Sequence, residues 1–330
     1  MRTFALSSYS RFRTELMGIA IIGVSLLHAI AWAEVDGTLV GKFLKPFARI
    51  AFTEGFLFLS GFGLVYSFSK DGNCKRFYLK RIKRLWLPFI LMALPFYLYG
   101  LCSGNFTLPR VLAKFTTAYF WIWGNDGMWY ISMSVALYLL FPAAYRYMFN
   151  GKDEKSVLCN TMHIVILCYV VLGVLYYFCA DYYNLLQIGI TKAPIFFIGM
   201  LIAYLAKRNK CLSIRWLAGG GISLVIIYFL KHWSPFWIPT YEMAFRLLAM
   251  PIACIAMMKI NSKCLEKVLQ WFGKYSLEIY VLQMLMIGTA GSVLLAFGVS
   301  DCQLPILKTC LCFAIVFAVA SPVHKVTARL

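Results

Sequence analysis

Residues 16–33 read LMGIAIIGVSLLHAIAWA, and this stretch decides the fold. It holds one titratable side chain, His28, and no formal charge. At 1.5 Å per residue a helix of this length reaches about 27 Å, close to the roughly 30 Å hydrocarbon core of a bilayer. It has no convincing small-residue cleavage site and is long enough to span, so it reads as a membrane span and not as a leader peptide. Working outward, nine further apolar stretches recur at residues 50–69, 85–102, 128–147, 157–178, 188–206, 216–232, 241–258, 275–297 and 305–322. The expected architecture is all-α, a polytopic integral membrane protein of about ten transmembrane helices. A single domain is expected over residues 1–330, with no appended soluble domain.

Composition agrees. Of 330 residues 62% are hydrophobic and only 14% charged, with a mean hydropathy of +0.75. A soluble domain carries about 25% charged residues. That excludes a disordered chain, a secreted disulfide scaffold and an ordinary cytosolic enzyme. The net charge of +19 raises the question of a nucleic-acid partner. With the N-terminus inside, the inward-facing segments collect 23 of the 32 Lys and Arg residues, from Arg11 and Arg13 through Lys207 and Arg208 to Lys325 and Arg329. Such a bias is a signature of topology. Both termini are expected in the cytoplasm, with membrane lipids and no nucleic acid as partners. The eleven cysteines lie largely in apolar stretches (Cys159, Cys168, Cys179, Cys254, Cys310, Cys312), with no CxxC and no neighbouring His cluster. They read as small hydrophobes, and neither a metal site nor a disulfide framework is expected.

Ionisable side chains at membrane depth are costly and mark functional candidates. His28 lies about five residues from the outer end of the first span. Glu54 lies about four residues into the second, which runs the opposite way. At 1.5 Å per residue the two share a depth in the outer half of the membrane. A carboxylate beside an imidazole fixes its tautomer and raises its basicity, as general-base catalysis requires. A buried polar pair joining two helices is the equal alternative. Lys192, Lys231, Glu242 and Arg246 fall in or near the same outer layer. Glu242 and Arg246 are four apart on one helical face, the spacing of an ion pair. Together these residues suggest a polar cavity opening away from the cytoplasm. Snorkelling at helix ends is the alternative for Lys231 and Lys192.

The densest basic run is Lys70–Arg84, with seven basic residues and one acid, Asp71. It suits anionic lipid headgroups or the phosphates of a cytoplasmic ligand, which Arg binds in bidentate fashion. The long outer connection at residues 103–127 carries Phe120-Trp121-Ile122-Trp123, which reads as an interfacial aromatic belt or a re-entrant or surface helix.

Several of these segments together resemble the acyltransferase-3 family of polytopic membrane acyltransferases. Glu15-Leu16-Met17-Gly18-Ile19-Ala20 followed by His28 is similar to its opening helix. Phe56-Leu57-Phe58-Leu59-Ser60-Gly61-Phe62 resembles its aromatic-x-x-Ser-Gly-Phe segment. Arg81-Ile82-Lys83-Arg84 with Pro88 resembles its Arg-x-x-Arg element. Met128-Trp129-Tyr130-Ile131 is similar to its Trp-Phe-Leu segment. Pro194-Ile195-Phe196-Phe197-Ile198-Gly199-Met200 resembles its Phe-x-x-Gly-Met segment, and Gly273-Lys274-Tyr275-Ser276-Leu277-Glu278-Ile279-Tyr280 its late Gly-(Arg/Lys)-Tyr-Ser segment. Six pieces occur in order over nearly the whole chain. Met17 stands where the family usually has an Arg eleven residues before its His, with Arg13 one turn earlier. Gly127 stands where a polar residue often precedes the Trp-Phe-Leu segment, although Asn125 and Asp126 are close.

The resemblance implies transfer of an acyl group, acetyl being the expected one, from cytoplasmic acyl-CoA to a hydroxyl of a sugar or glycan of the cell envelope. It implies the bacterial cytoplasmic (inner) membrane as location. Acyl-CoA would be a co-substrate, and no bound cofactor is expected. His28 takes the place of the family's catalytic His, as general base or transient acyl acceptor, with Glu54 as orienting partner. Arg81 and Arg84, with Lys80 beside them, would hold the donor's phosphates. Ser60 and Gly61 would let the acyl arm pass close to the backbone, with small-residue helix packing as the alternative. Trp129, Lys192, Glu242 and Arg246 would serve the acceptor or the oxyanion. A homodimer is an open expectation. The rival readings are a secondary transporter of an acylated or anionic small molecule and an inactive scaffold. No inverted pairing between residues 1–165 and 166–330 supports the transporter.

Overall fold

A computed structural model describes residues 3–50, 53–124, 127–301, 303–327 and 329. Asn125 and Asp126 lie outside the described residues. The chain is helical almost throughout. Its first elements are β1 (Thr3–Ala5), α1 (Ser8–Arg11), α2 (Arg13–Trp32), α3 (Leu39–Ile50) and α4 (Thr53–Phe68). A long helix follows, made of α5 (Cys74–Arg81), a π-helical turn at Ile82–Trp86 and α6 (Leu87–Cys102). Next come α7 (Leu108–Phe115), α8 (Ala118–Trp123), α9 (Trp129–Phe149), α10 (Glu154–Phe178), α11 (Ala180–Ile190) and α12 (Ala193–Lys207). The chain ends with β2 (Cys211–Ser213), α13 (Ile214–Trp233), α14 (Ile238–Ile260), α15 (Lys263–Lys274), α16 (Ser276–Ala296) and α17 (Leu304–Thr327).

Among the described residues the ten apolar stretches are helical over most of their length, with 188–206 shared between α11 and α12. Among the described residues seven helical stretches are long and apolar enough to cross a membrane: Arg13–Trp32, Cys74–Cys102, Glu154–Phe178, Ala180–Lys207, Pro235–Ile260, Ser276–Ala296 and Leu304–Thr327. The other three predicted spans coincide with α4, α9 and α13. The α4 helix is apolar but only 16 residues long. Ser132, Ser134 and four tyrosines dilute the hydropathy of α9. The outward surface fits a bilayer. Ile166, Leu167, Val170, Val171, Val174 and Phe178 of α10 are all exposed, which in water would form an oversized apolar patch. Helices satisfy their backbone internally and can present such a face to lipid. The protein is an all-α polytopic integral membrane protein.

The helices group into two compact units, each assembled from three separate stretches of chain. The first comprises Met1–Leu16, Glu54–Lys80 and Thr117–Ser262. In it α4 and α12 approach closely, because small residues sit at the crossing. A Cβ on Gly61 would run into the Phe196 carbonyl, and one on Gly199 into the Phe58 carbonyl. Around this crossing Phe58, Phe62, Phe141 and Phe196 are fully buried. The antiparallel ribbon β1–β2 pairs Phe4 with Leu212, tying the start of the chain to the α12–α13 connection.

The second unit comprises Met17–Thr53, Arg81–Thr116 and Lys263–Leu330. Its centre is the antiparallel hairpin α16–α17, turned at Gly298, whose φ of +76° suits glycine. Gly18 of α2 abuts the Leu269 carbonyl of α15. Trp86 Nε1 donates to the Phe115 carbonyl at 2.9 Å, joining the start of α6 to the end of α7. The connections between predicted spans at residues 34–49 and 259–274 carry the helices α3 and α15. Both are amphipathic, and α3 exposes Leu39, Val40, Phe43 and Phe47.

Candidate active site

In the first unit the intramembrane charges converge. Glu54, in the first turn of α4, is 1% exposed. Arg246 of α14 closes an ion pair onto its Oε1. The same guanidinium reaches back one turn to Glu242 Oε2 at 3.4 Å, the four-residue spacing foreseen. Lys192, between α11 and α12, lies within electrostatic range of Glu54, Arg246 and Glu242. Its Nζ sits 4.7 Å from the centre of the Trp129 ring, a cation–π contact. Two carboxylates and two cations therefore balance in one cluster. Beside it opens a cavity of about 540 Å³, lined by Asn184, Gln187, Thr191, Lys192, Glu242 and Pro239 among others. Its size is that of a small-molecule site. Four of the charged residues singled out from sequence, with Trp129, are thus one physical group.

Ser60 and Gly61 lie nearby in α4. Gly61 serves close packing of α4 on α12, one of the two alternatives that sequence left. Ser60 accepts from the Tyr138 hydroxyl at 3.3 Å and lies within hydrogen-bonding range of Tyr130. Arg13 donates from Nε to the Leu59 carbonyl at 3.3 Å, and its guanidinium fills the notch left by Gly63. It is thereby engaged with α4.

In the second unit His28 stacks on Trp32, one turn further along α2, at 4.8 Å between centroids and 23° between planes. Trp32 in turn stacks against Phe313 of α17 at 6.0 Å. The Gln283 side chain of α16 lies within hydrogen-bonding range of His28. Gln283 is itself fully buried, and its Oε1 accepts from Ser25 Oγ at 3.0 Å. Ser25 and His28, three apart on α2, thus face one amide. His28 Nδ1 is buried and has no partner among the described residues. The ring is held by stacking on one side, with the Gln283 amide beside it. Glu54, expected beside His28, belongs to the first unit and is held by Arg246.

The Arg-x-x-Arg element straddles the π-helical turn. Arg81 ends α5 and is half-buried, whereas Arg84 and Lys80 are exposed. Such turns interrupt regular helices frequently at functional sites.

Sequence reading missed Gln283, Ser25 and a second buried acid, Glu278. Gln283 and Ser25 were visible as uncharged polar residues inside apolar stretches, where only charged residues and His28 were weighed. Glu278 was quoted only as part of the Tyr-Ser segment. Its partner, His324, lies two residues past the predicted end of the last span.

These features define the class: an all-α polytopic membrane protein with a buried charge cluster and an intramembrane histidine stacked on Trp32. The family follows from comparison. The profile of a family described as an acyltransferase domain matches residues 16–325. The chain belongs to this family, acyltransferase-3, and is a membrane acyltransferase by that membership. No curated protein and no solved structure matches it.

Proposed function

We propose that this acyltransferase moves an acyl group, acetyl first, from cytoplasmic acyl-CoA to a hydroxyl of a cell-envelope or exported glycan, in a bacterial cytoplasmic membrane. Ten spans with both termini in the cytoplasm bring the anionic donor to the basic run of residues 70–84. The observation that carries the reading is the family match over residues 16–325, together with the orientation of His28 by Trp32 and Gln283.

In this reading His28 takes the acceptor's hydroxyl proton as the oxygen attacks the thioester carbonyl. The carbon–sulfur bond then breaks with its electron pair on sulfur, and the proton held by His28 passes to it so that CoA leaves as the thiol. General-base help of this kind contributes about 10²–10⁴ in rate. Arg81 and Arg84, with Lys80, hold the donor's phosphates. Glu54, Arg246, Glu242, Lys192 and Trp129 are assigned to the acceptor, whose hydroxyls match the amides and charges lining the cavity. Glu54 acts there as the counter-ion of Arg246.

The test is donor binding and turnover by purified protein in nanodiscs, with acetyl-CoA titrated and free thiol followed. Wild type binds and releases CoA, Arg81→Ala/Arg84→Ala loses binding, and His28→Ala binds without turnover. Absence of both binding and turnover with acetyl-CoA and a longer acyl-CoA overturns the acyltransferase reading in favour of transport.

A further inference from the structure

Outside the residues assigned to acyl transfer, the first unit carries a basic site at the end where α4, α9 and α12 finish. Lys207, the last residue of α12, donates from Nζ to Ser69 Oγ at 2.6 Å and lies 5.9 Å from the centre of the Tyr66 ring. Ser69 Oγ in turn donates to the Tyr66 carbonyl at 3.3 Å. The ammonium is thereby fixed to the end of α4, and two of its three N–H bonds remain for a ligand. Arg208 rests its guanidinium 4.5 Å over the Tyr204 ring, and that guanidinium hydrogen-bonds to nothing among the described residues. Tyr204 stands three residues before Lys207 and four before Arg208, so both cations neighbour its ring on the helix.

The cations border a floor of rings. Tyr204 stacks on Phe149 of α9 at 5.2 Å and 8°, Phe149 meets Tyr145 at 5.1 Å, and Tyr145 meets Phe68 of α4 at 4.9 Å. Tyr66, Tyr145, Phe149 and Tyr204 are half-buried, whereas Lys207 and Arg208 are exposed. The Tyr204 hydroxyl oxygen is buried without a partner among the described residues, and native structures pair such atoms. The acids at this end are already engaged. Asp71 is held by Arg76 at 2.8 Å, Glu154 by Lys210 at 2.9 Å, and Asp153 caps α10 by accepting from the Ser156 amide at 3.2 Å. Lys207 and Arg208 have no carboxylate partner among the described residues. A topological bias alone scatters basic residues over the connections. It does not account for two adjoining cations seated on tyrosines, one of them anchored by a serine of another helix end.

We infer that Lys207 and Arg208 bind the phosphate of an anionic lipid headgroup. The stretch Ala180–Lys207 is long and apolar enough to cross the membrane, so the pair stands where that stretch meets the headgroup layer. Tyrosines collect at this level because their rings are apolar and their hydroxyls polar. Basic pockets between membrane helices recognise anionic headgroups there. Lys207 offers a compact charge and Arg208 a planar fork that matches two phosphate oxygens. A soluble phosphate would meet the same two groups. Depth and floor together favour the lipid, since half-buried rings at helix ends carry the glycerol and the first methylenes of an acyl chain. With both termini in the cytoplasm, as proposed above, this lipid belongs to the inner leaflet. The site stands apart from the chemistry of His28.

The test counts bound lipid. Full-length protein in detergent is titrated with phosphatidylglycerol or phosphatidylcholine, and each bound lipid is resolved by native mass spectrometry. Wild type is compared with Lys207→Gln/Arg208→Gln and with Lys152→Gln/Lys155→Gln, which removes the same charge from the neighbouring α9–α10 connection. Thermal unfolding confirms that each variant is folded, and Lys207→Arg/Arg208→Lys keeps the charges should the first double variant fail to fold. Loss of the pair is expected to weaken phosphatidylglycerol at least about tenfold, whereas the control pair weakens it less than about twofold. Phosphatidylcholine should bind all variants alike, and the charge-keeping variant should retain phosphatidylglycerol. Equal losses in the two Gln pairs reduce the site to diffuse surface charge and overturn the inference. So does a wild type that does not prefer phosphatidylglycerol to phosphatidylcholine. Displacement of the lipid from wild type by adenosine 3′,5′-bisphosphate, with direct binding of that nucleotide lost in Lys207→Gln/Arg208→Gln, assigns the pair to a soluble phosphate and overturns the lipid.

Discussion

Arg246 and Glu54 form an ion pair across 192 positions of sequence, with side chains 11% and 2% exposed. At that burial the pair holds α14 to α4 because neither charge has water to turn to. Removing one partner strands the other, which costs about 3–5 kcal/mol. Arg246→Met and Glu54→Leu are each expected to lower the thermal unfolding midpoint in detergent, and the double variant to recover much of the loss. Additive losses in the double variant would show that the two side chains do not depend on each other.

Gln283 is expected to act through His28. Gln283→Leu keeps the volume of the side chain but removes the amide that lies within hydrogen-bonding range of His28 and accepts from Ser25. The expected result is a fall in kcat of about tenfold, a fraction of what removing the general base costs. Donor affinity should stay unchanged. Steady-state kinetics with acetyl-CoA decide it, and a change confined to KM would count against the assignment.

The basic run should behave as an electrostatic donor site. Hydrogen bonds to charged groups are worth about 1.5–3 kcal/mol each, so Arg84→Ala should weaken acetyl-CoA binding by at least about tenfold. The wild-type affinity should fall with salt more steeply than that of the variant. Calorimetric titration at two ionic strengths measures both.

The α4–α12 crossing tolerates no extra methyl group. Gly61→Ala drives a Cβ into the Phe196 carbonyl, and Gly199→Ala into the Phe58 carbonyl. Overpacking of this kind costs about 1–3 kcal/mol. Both variants should unfold at lower temperature, whereas Gly173→Ala, whose added methyl meets nothing, should not. A Gly61→Ala protein as stable as wild type would show that the crossing can open.

Hydropathy alone located the long apolar helices, because a roughly 30 Å apolar slab imposes length and composition on every segment that crosses it. Glu242 and Arg246 were legible as a pair because helical spacing is written locally. Glu54 with Arg246 was not, since partners on distant helices follow from packing. Depth arithmetic gave Glu54 and His28 a similar level, and depth fixes only one coordinate. The rotation of each helix about its axis decides which residues meet, and α2 turns His28 toward Trp32 and Gln283. The amphipathic α3 and α15 escaped because short connections invite no search for a helical period. The basic run was plain in the sequence, but the π-helical turn within it leaves no mark in composition.

The small ribbon at the chain's start has a topological consequence. Thr3–Ala5 pairs with Cys211–Ser213, so both strands lie on one side of the membrane and the chain between them crosses an even number of times. Four stretches in that interval are long and apolar enough to cross unaided: Arg13–Trp32, Cys74–Cys102, Glu154–Phe178 and Ala180–Lys207. Parity then couples α4 to α9. Either both cross the bilayer or neither does, and a chain in which only one of them did would have to leave three backbone pairings unmade.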